Sequence, residues 1–138
     1  MKKDTSYRMS IPSDPEYIER VEKKTEKIAK QAGLNDNAID NLAIAVTEVV
    51  ANAIVHGNRR DSSKKVTIEF YLDEKNIKVL ISDEGAGFDP RDIKNPTAPE
   101  NILKESGRGV FIVKALMDDV LFRFSEKGTV TTLVMKLR

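Results

Sequence analysis

The 138-residue chain has no cysteine, no tryptophan and a single histidine. Without cysteine there is no disulfide framework, no thiolate metal site and no cysteine nucleophile. With one His besides, a structural zinc site is excluded too. Charge of one sign is missing as well: 23 Lys and Arg against 22 Asp and Glu leave a formal net charge of +1. Polyanion binding draws on many Lys and Arg facing phosphates. Direct nucleic-acid binding is therefore not expected, and a small ligand or a specific protein partner is. No run of about 20 consecutive apolar residues occurs, and no signal-peptide-like apolar stretch follows Met1-Lys2-Lys3-Asp4. A cytoplasmic protein without membrane contact is the expectation. No repeat or Ser/Gly linker divides the chain, so residues 1–138 read as one domain. A chain of this size buries roughly 70% of its unfolded surface, and 40% hydrophobic residues can supply that core.

What is present is patterned. Tyr7 to Ile11 alternates as a short strand stopped by Pro12. Ser13 or Asp14 then caps a helix with Pro15 and Glu16 in its first turn. Tyr17, Ile18, Val21, Ile28, Ala29 and Ala32 recur at helical spacing opposite a charged face that includes Arg20 and Lys24, and Gly33 ends the helix. A second, far less charged helix runs from Asn35 or Asp36 to Gly57 and should be the more buried. Val66, Ile68, Phe70 and Leu72, then Ile77, Val79 and Ile81, alternate around the turn Asp73-Glu74-Lys75-Asn76 as an antiparallel hairpin with one wet face. A Pro-containing loop follows, then a helix from Gly109 to Met117 and strands near Val120–Ser125 and Thr129–Leu137. Helices in one layer over a mixed, mostly antiparallel sheet make an α+β two-layer sandwich.

Three constellations carry chemistry. Glu48, Asn52 and His56 lie four apart on the second helix and share a face. A solvated polar stripe explains them as well as a base at Glu48 and an oxygen ligand for a hard cation such as magnesium at Asn52. Asp83-Glu84-Gly85-Ala86-Gly87-Phe88 ends a strand; the glycines suit a tight turn, and a carboxylate there can accept from the exocyclic amine of adenine. Ser106-Gly107-Arg108-Gly109 opens a helix, where free N–H groups favour an anion and Arg108 can reach a terminal phosphate, or where Ser106 simply caps. The terminal His56 fits helix capping or packing better than catalysis. No P-loop and no dinucleotide fingerprint occurs.

The ordered set resembles the GHKL superfamily, the ATP-binding domain of gyrase, histidine kinases and the mismatch-repair protein MutL, known as the Bergerat fold. Within it the chain is similar to the small anti-sigma-factor serine/threonine kinases of the RsbW and SpoIIAB type. The resemblance implies that Glu48 is the general base, Asn52 the magnesium ligand and Asp83 the adenine-binding acid. It implies further that Gly85 and Gly87 admit the base and sugar, that Gly107, Arg108 and Gly109 bind phosphate, and that Thr129 joins the network at adenine. Residues 89–106 correspond to a mobile ATP lid. ATP and Mg2+ are the implied cofactors. The implied partners are a STAS-domain anti-sigma-factor antagonist phosphorylated on Ser or Thr, a sigma factor, and a second copy in a homodimer. The charged face of the first helix or the surface near the lid would make the protein contacts. Two other functions use the same pocket: an ATP-binding module that sequesters a partner without phosphorylating it, and a switch kinase acting on a stressosome-like scaffold.

Overall fold

The computed structural model describes residues 5–85 and 109–137. Strand β1 (Thr5–Pro12) pairs antiparallel with β2 (Lys65–Leu72), running from Thr5 opposite Leu72 to Pro12 opposite Lys65. It includes the proline expected to stop it. β1 is an edge strand, where a missing N–H breaks no ladder bond on the open side. β3 (Asn76–Ser82), β4 (Asp119–Ser125) and β5 (Gly128–Lys136) complete a five-stranded sheet in the order β1-β2-β3-β5-β4. All four pairings are antiparallel, so the expected mixed sheet is antiparallel throughout the described residues. The β2–β3 turn is tied by Asp73, whose Oδ1 accepts the N–H groups of Lys75 and Asn76, both at 2.7 Å. Here an Asp side chain organises the turn that joins two strands.

Alternation places one face of the sheet under the helices. Val66, Ile68 and Phe70 of β2, Ile77, Val79 and Ile81 of β3, and Leu133 of β5 are buried, while their neighbours in sequence are half-buried or exposed. A single turn of 3-10 helix (Pro15–Tyr17) leads into α1 (Ile18–Gln31). Asp14 is the cap, its Oδ1 accepting the N–H of Glu16 at 2.9 Å; Ser13, the other candidate, is buried and serves elsewhere. Val21, Ile28 and Ala29 face inward as expected, and with them Thr25, whose hydroxyl donates to the Val21 carbonyl at 2.8 Å and so can be buried. Gly33, at φ 85°, terminates the helix in the left-handed conformation.

α2 (Asp36–Asn52) is capped by Asn35, whose Oδ1 accepts from Ala38 N–H at 2.9 Å. It is the more buried helix, with Leu42, Ala45, Val46 and Val50 inaccessible to solvent. It also stops earlier than its apolar period suggests. Residues Ala53–Gly57 form a π-helical turn, in which Asn58 N–H reaches back five residues to the Ala53 carbonyl at 2.8 Å. Arg60 N–H then closes on the Ile54 carbonyl at 2.7 Å, with Arg59 and Arg60 both left-handed at φ 53° and 59°. By length and composition the 22 residues Asp36–Gly57 could cross a membrane, but half of that apolar window is buried inside the protein. Its buried Leu, Val and Ile side chains are the centre of the core, which is why a helix inside this domain is so apolar. Helix α3 (Gly109–Leu116) lies against α2 and contributes Val113 to the same core.

Phe70, at the middle of β2, has no exposed surface. Phe70→Ala should therefore cost about 3–5 kcal/mol, whereas Tyr71→Ala on the open face should stay within about 0.5 kcal/mol. Urea denaturation of both variants measures the contrast.

Candidate nucleotide site

The functional end of the domain is built where α2 finishes, β3 finishes and β5 begins. α2 carries Glu48 and Asn52 one helical turn apart, Glu48 half-buried and Asn52 only 6% exposed. The solvated stripe that the spacing allowed is therefore not what forms: Asn52 is inside. His56 falls in the π turn, where a wider turn displaces it from strict four-residue stacking on Asn52. Burying an amide without partners costs free energy, yet the Asn52 side chain makes no hydrogen bond among the described residues. Among the described residues its polar atoms are neither partnered nor sealed from solvent, so they are open to a ligand.

Asp83 follows the last residue of β3, and its main-chain N–H still pairs with the Thr129 carbonyl at 3.0 Å. Its Oδ1 accepts two backbone N–H groups, from Gly85 at 3.0 Å and from Thr129 at 3.1 Å. Bonds of this kind to a charged acceptor contribute about 1.5–3 kcal/mol each. Oδ2 accepts none among the described residues. Burial raises the Asp83 carboxyl from its ordinary value; the N–H groups of Gly85 and Thr129, and the charge of Lys64, pull the other way.

Three glycines make room for this carboxylate. A Cβ on Gly57 would overlap Asp83 Oδ2 and lie 2.6 Å from its Cγ. One on Gly85 would strike the Gly57 backbone, 3.0 Å from its carbonyl carbon. One on Gly128 would strike the Asp83 main chain and lie 2.9 Å from Oδ1, and its φ of 136° disfavours any L side chain. Gly57 thus brings the end of the helix that bears Glu48 and Asn52 into contact with Asp83.

The structure therefore assembles Asp83, Gly85 and Thr129 directly, and joins them through Gly57 to the helix of Glu48 and Asn52. Thr129 meets Asp83 through its backbone. Gly109 begins α3, while Gly87, Gly107, Arg108 and the 89–106 segment lie outside the described residues. No three His, Cys, Asp or Glu side chains converge as a metal site among the described residues. A groove of about 280 Å³ lined by Tyr7, Gln31, Leu72 and Leu137 lies at the opposite end of the sheet and holds none of these residues.

Sequence reasoning passed over Asn58 and offered Ser13 only as a helix cap. Asn58 is 1% exposed; its Nδ2 donates to Ser13 Oγ at 2.7 Å and to the Lys65 carbonyl at 3.0 Å, and its Oδ1 accepts Glu84 N–H at 2.8 Å. Ser13 Oγ donates onward to the Lys64 carbonyl at 2.7 Å. In the sequence Asn58 opens a polar turn and looks solvent-facing; no local signal distinguishes it. Gly128 was visible only as the residue before Thr129.

A model of the histidine kinase-like ATPase domain matches residues 11–135. Among curated relatives, a serine-protein kinase RsbW of Oceanobacillus iheyensis is 34% identical over 118 residues, covering 81% of this chain and 75% of the relative. The serine-protein kinase RsbW of Bacillus subtilis is 32% identical over 127 residues, covering 87% and 79%. Among solved structures, one of the RsbU and RsbW domains of a Mycobacterium tuberculosis protein aligns with a TM-score of 0.72 at 18% identity. That alignment covers 96% of this chain and 32% of the other. A histidine kinase domain from a blue-light-activated kinase of Erythrobacter litoralis aligns at 0.58 and 19% identity, covering 92% of this chain and 62% of that one. At these identities the structural matches speak for the fold.

The position of Asp83 generates a pH prediction. Its folded-state value is raised, so the stabilising contribution belongs to the protonated form. That contribution is complete below the unfolded-state value and is lost as pH rises through the folded one. Asp83→Asn can keep an oxygen for Gly85 and Thr129 while removing the charge. The variant should be more stable than the parent at pH 7, with the difference shrinking on acidification, as read by denaturant titrations across pH.

Proposed function

This chain belongs to the histidine kinase-like ATPase domain family, within it to the RsbW serine-protein kinases, and we propose that it transfers the γ-phosphoryl group of ATP to a Ser or Thr of a protein partner. The observation that carries the nucleotide assignment is the asymmetric Asp83 carboxylate: one oxygen is held by two backbone N–H groups and the other accepts nothing among the described residues. A carboxylate fixed in this way presents a directional acceptor, which suits the exocyclic amine of adenine. Close backbone approach at Gly57, Gly85 and Gly128 keeps side chains away from it.

Phosphoryl transfer asks a protein mainly for positioning and charge stabilisation. In this reading Glu48 takes the proton of the acceptor hydroxyl as its oxygen bonds to the γ-phosphorus, and the bond to the leaving ADP breaks. Asn52, buried and without a side-chain partner among the described residues, would supply an oxygen ligand to magnesium. When bound, that ion would offset phosphate charge. Gly107, Arg108 and Gly109 are assigned to the phosphates, Gly87 and Thr129 to the nucleoside end, and residues 89–106 to a lid, on family likeness.

Family likeness also extends the proposal to the partners. The acceptor would sit on a STAS-domain anti-sigma-factor antagonist, and the kinase would sequester a sigma factor until unphosphorylated antagonist, favoured at high ADP, displaces it. A cytoplasmic homodimer of a one-domain chain fits this role. Arg20 and Lys24, stacked over the rings of Tyr17 and Tyr7 at 5.0 and 5.2 Å, hold two charges in place on α1 for such contacts.

Glu48→Gln tests the chemistry. With labelled ATP, magnesium and a STAS-domain protein encoded beside the gene, the parent should label the acceptor and the variant should lose at least about a hundredfold in rate. ATP affinity by calorimetry should be unchanged. Transfer that survives in Glu48→Gln would remove Glu48 as the base, and binding without transfer by the parent would make the protein a sequestering module.

A further inference from the structure

Asn58 is a buried amide that no step above uses. Both of its functional atoms are determined by their partners. The Lys65 carbonyl can only accept and Glu84 N–H can only donate, so Nδ2 faces the former at 3.0 Å and Oδ1 the latter at 2.8 Å. The second Nδ2 hydrogen goes to Ser13 Oγ at 2.7 Å, which in turn donates to the Lys64 carbonyl. Neither Asp nor Leu at this position satisfies that set. A carboxylate would set an oxygen against the Lys65 carbonyl, and a methyl would leave the partly buried Lys65 carbonyl and Glu84 N–H, and the buried Ser13 hydroxyl, without this partner.

The place of these bonds gives them a role. Glu84 directly follows Asp83, and Gly57 directly precedes Asn58. Asn58 therefore clamps the chain leaving β3 to the end of the π turn at the point where Gly57 passes against Asp83 Oδ2. The Glu84 side chain adds a second tie by accepting Lys65 N–H. We propose that Asn58 is a positioning residue for base recognition: by holding residues 83–84 against the helix end, it aims Oδ2 of Asp83 and so sets the preference for a purine that carries a 6-amino group. This rests on the reading of Asp83 as the adenine acceptor.

The test compares ATP with inosine triphosphate, which has an oxo group where adenine has the amine. The folded parent should prefer ATP by about tenfold or more, the worth of one hydrogen bond to a charged acceptor. In Asn58→Ala the ratio of the two affinities should fall to about threefold or less, measured by calorimetry on folded protein. A purely structural role lowers the competent fraction, weakens both nucleotides alike and leaves the ratio where it was; that result overturns the proposal. Ser13→Ala, which removes one Asn58 partner at the side away from Asp83, should lower the ratio in the same direction and decides the matter if Asn58→Ala does not fold. Asp83→Asn separates the two levels. If it keeps the parent's preference for ATP, the reading of Asp83 fails; if it loses that preference while Asn58→Ala and Ser13→Ala keep it, only the role of Asn58 fails.

Discussion

Three stretches of backbone converge on the carboxylate of Asp83, and glycine lets each of them come that close. The end of the α2 π turn arrives at Gly57, the chain leaving β3 turns at Gly85, and β5 starts at Gly128. A carboxylate at such a junction loses hydration, which burial registers as a raised pKa, and regains part of that loss through two N–H groups on one oxygen. The arrangement couples fold to function in a simple way. The sheet cannot reach its observed register between β3 and β5 without bringing Thr129 N–H to Asp83, and the helix cannot end where it does without Gly57 beside the same group.

The two buried asparagines near this junction show how similar side chains serve different ends. Asn58 has both N–H donors and its oxygen bonded, to Ser13, Lys65 and Glu84, and belongs to the framework. Asn52 is nearly as buried and makes no side-chain bond among the described residues. An amide sealed in a core without partners costs stability, and no side-chain N or O atom among the described residues is left in that state. The Asn52 amide is thus open rather than strained, and can take a ligand as its partner.

Much of the architecture was legible locally. The alternation of Val66 to Leu72 and Ile77 to Ile81 placed both hairpin strands, because a half-covered sheet shows period two. Gly33, Asn35 and Asp14 marked helix ends through conformational and capping preferences that act over a few residues. Asp83, Gly85 and Thr129 were visible as motif residues, and the structure brings them into direct contact. What escaped were consequences of distant pairing. Ser13 looked like a cap and Asn58 like a turn residue, yet they bond to each other across 45 positions of chain. The apolar period ran on to Gly57 without showing that its last turn widens into a π turn.

By itself the sequence determined the class of the protein: no cysteine chemistry, no surplus charge for polyanions, helices and strands in the order of a two-layer α+β sandwich, and a motif set that resembles an ATP-binding family. The exclusions and the element order follow from composition and from preferences local to a few residues, whereas the resemblance rests on the motif residues. Only the tertiary structure decided which polar groups are matched and which are left open. Among the described residues Asn52 is inside without a side-chain partner, Asn58 is inside with both its N–H donors and its oxygen bonded, and the two oxygens of Asp83 differ. Hydrogen bonding inside a core depends on which distant backbone arrives within 3 Å, and that is set by packing the helices onto the sheet.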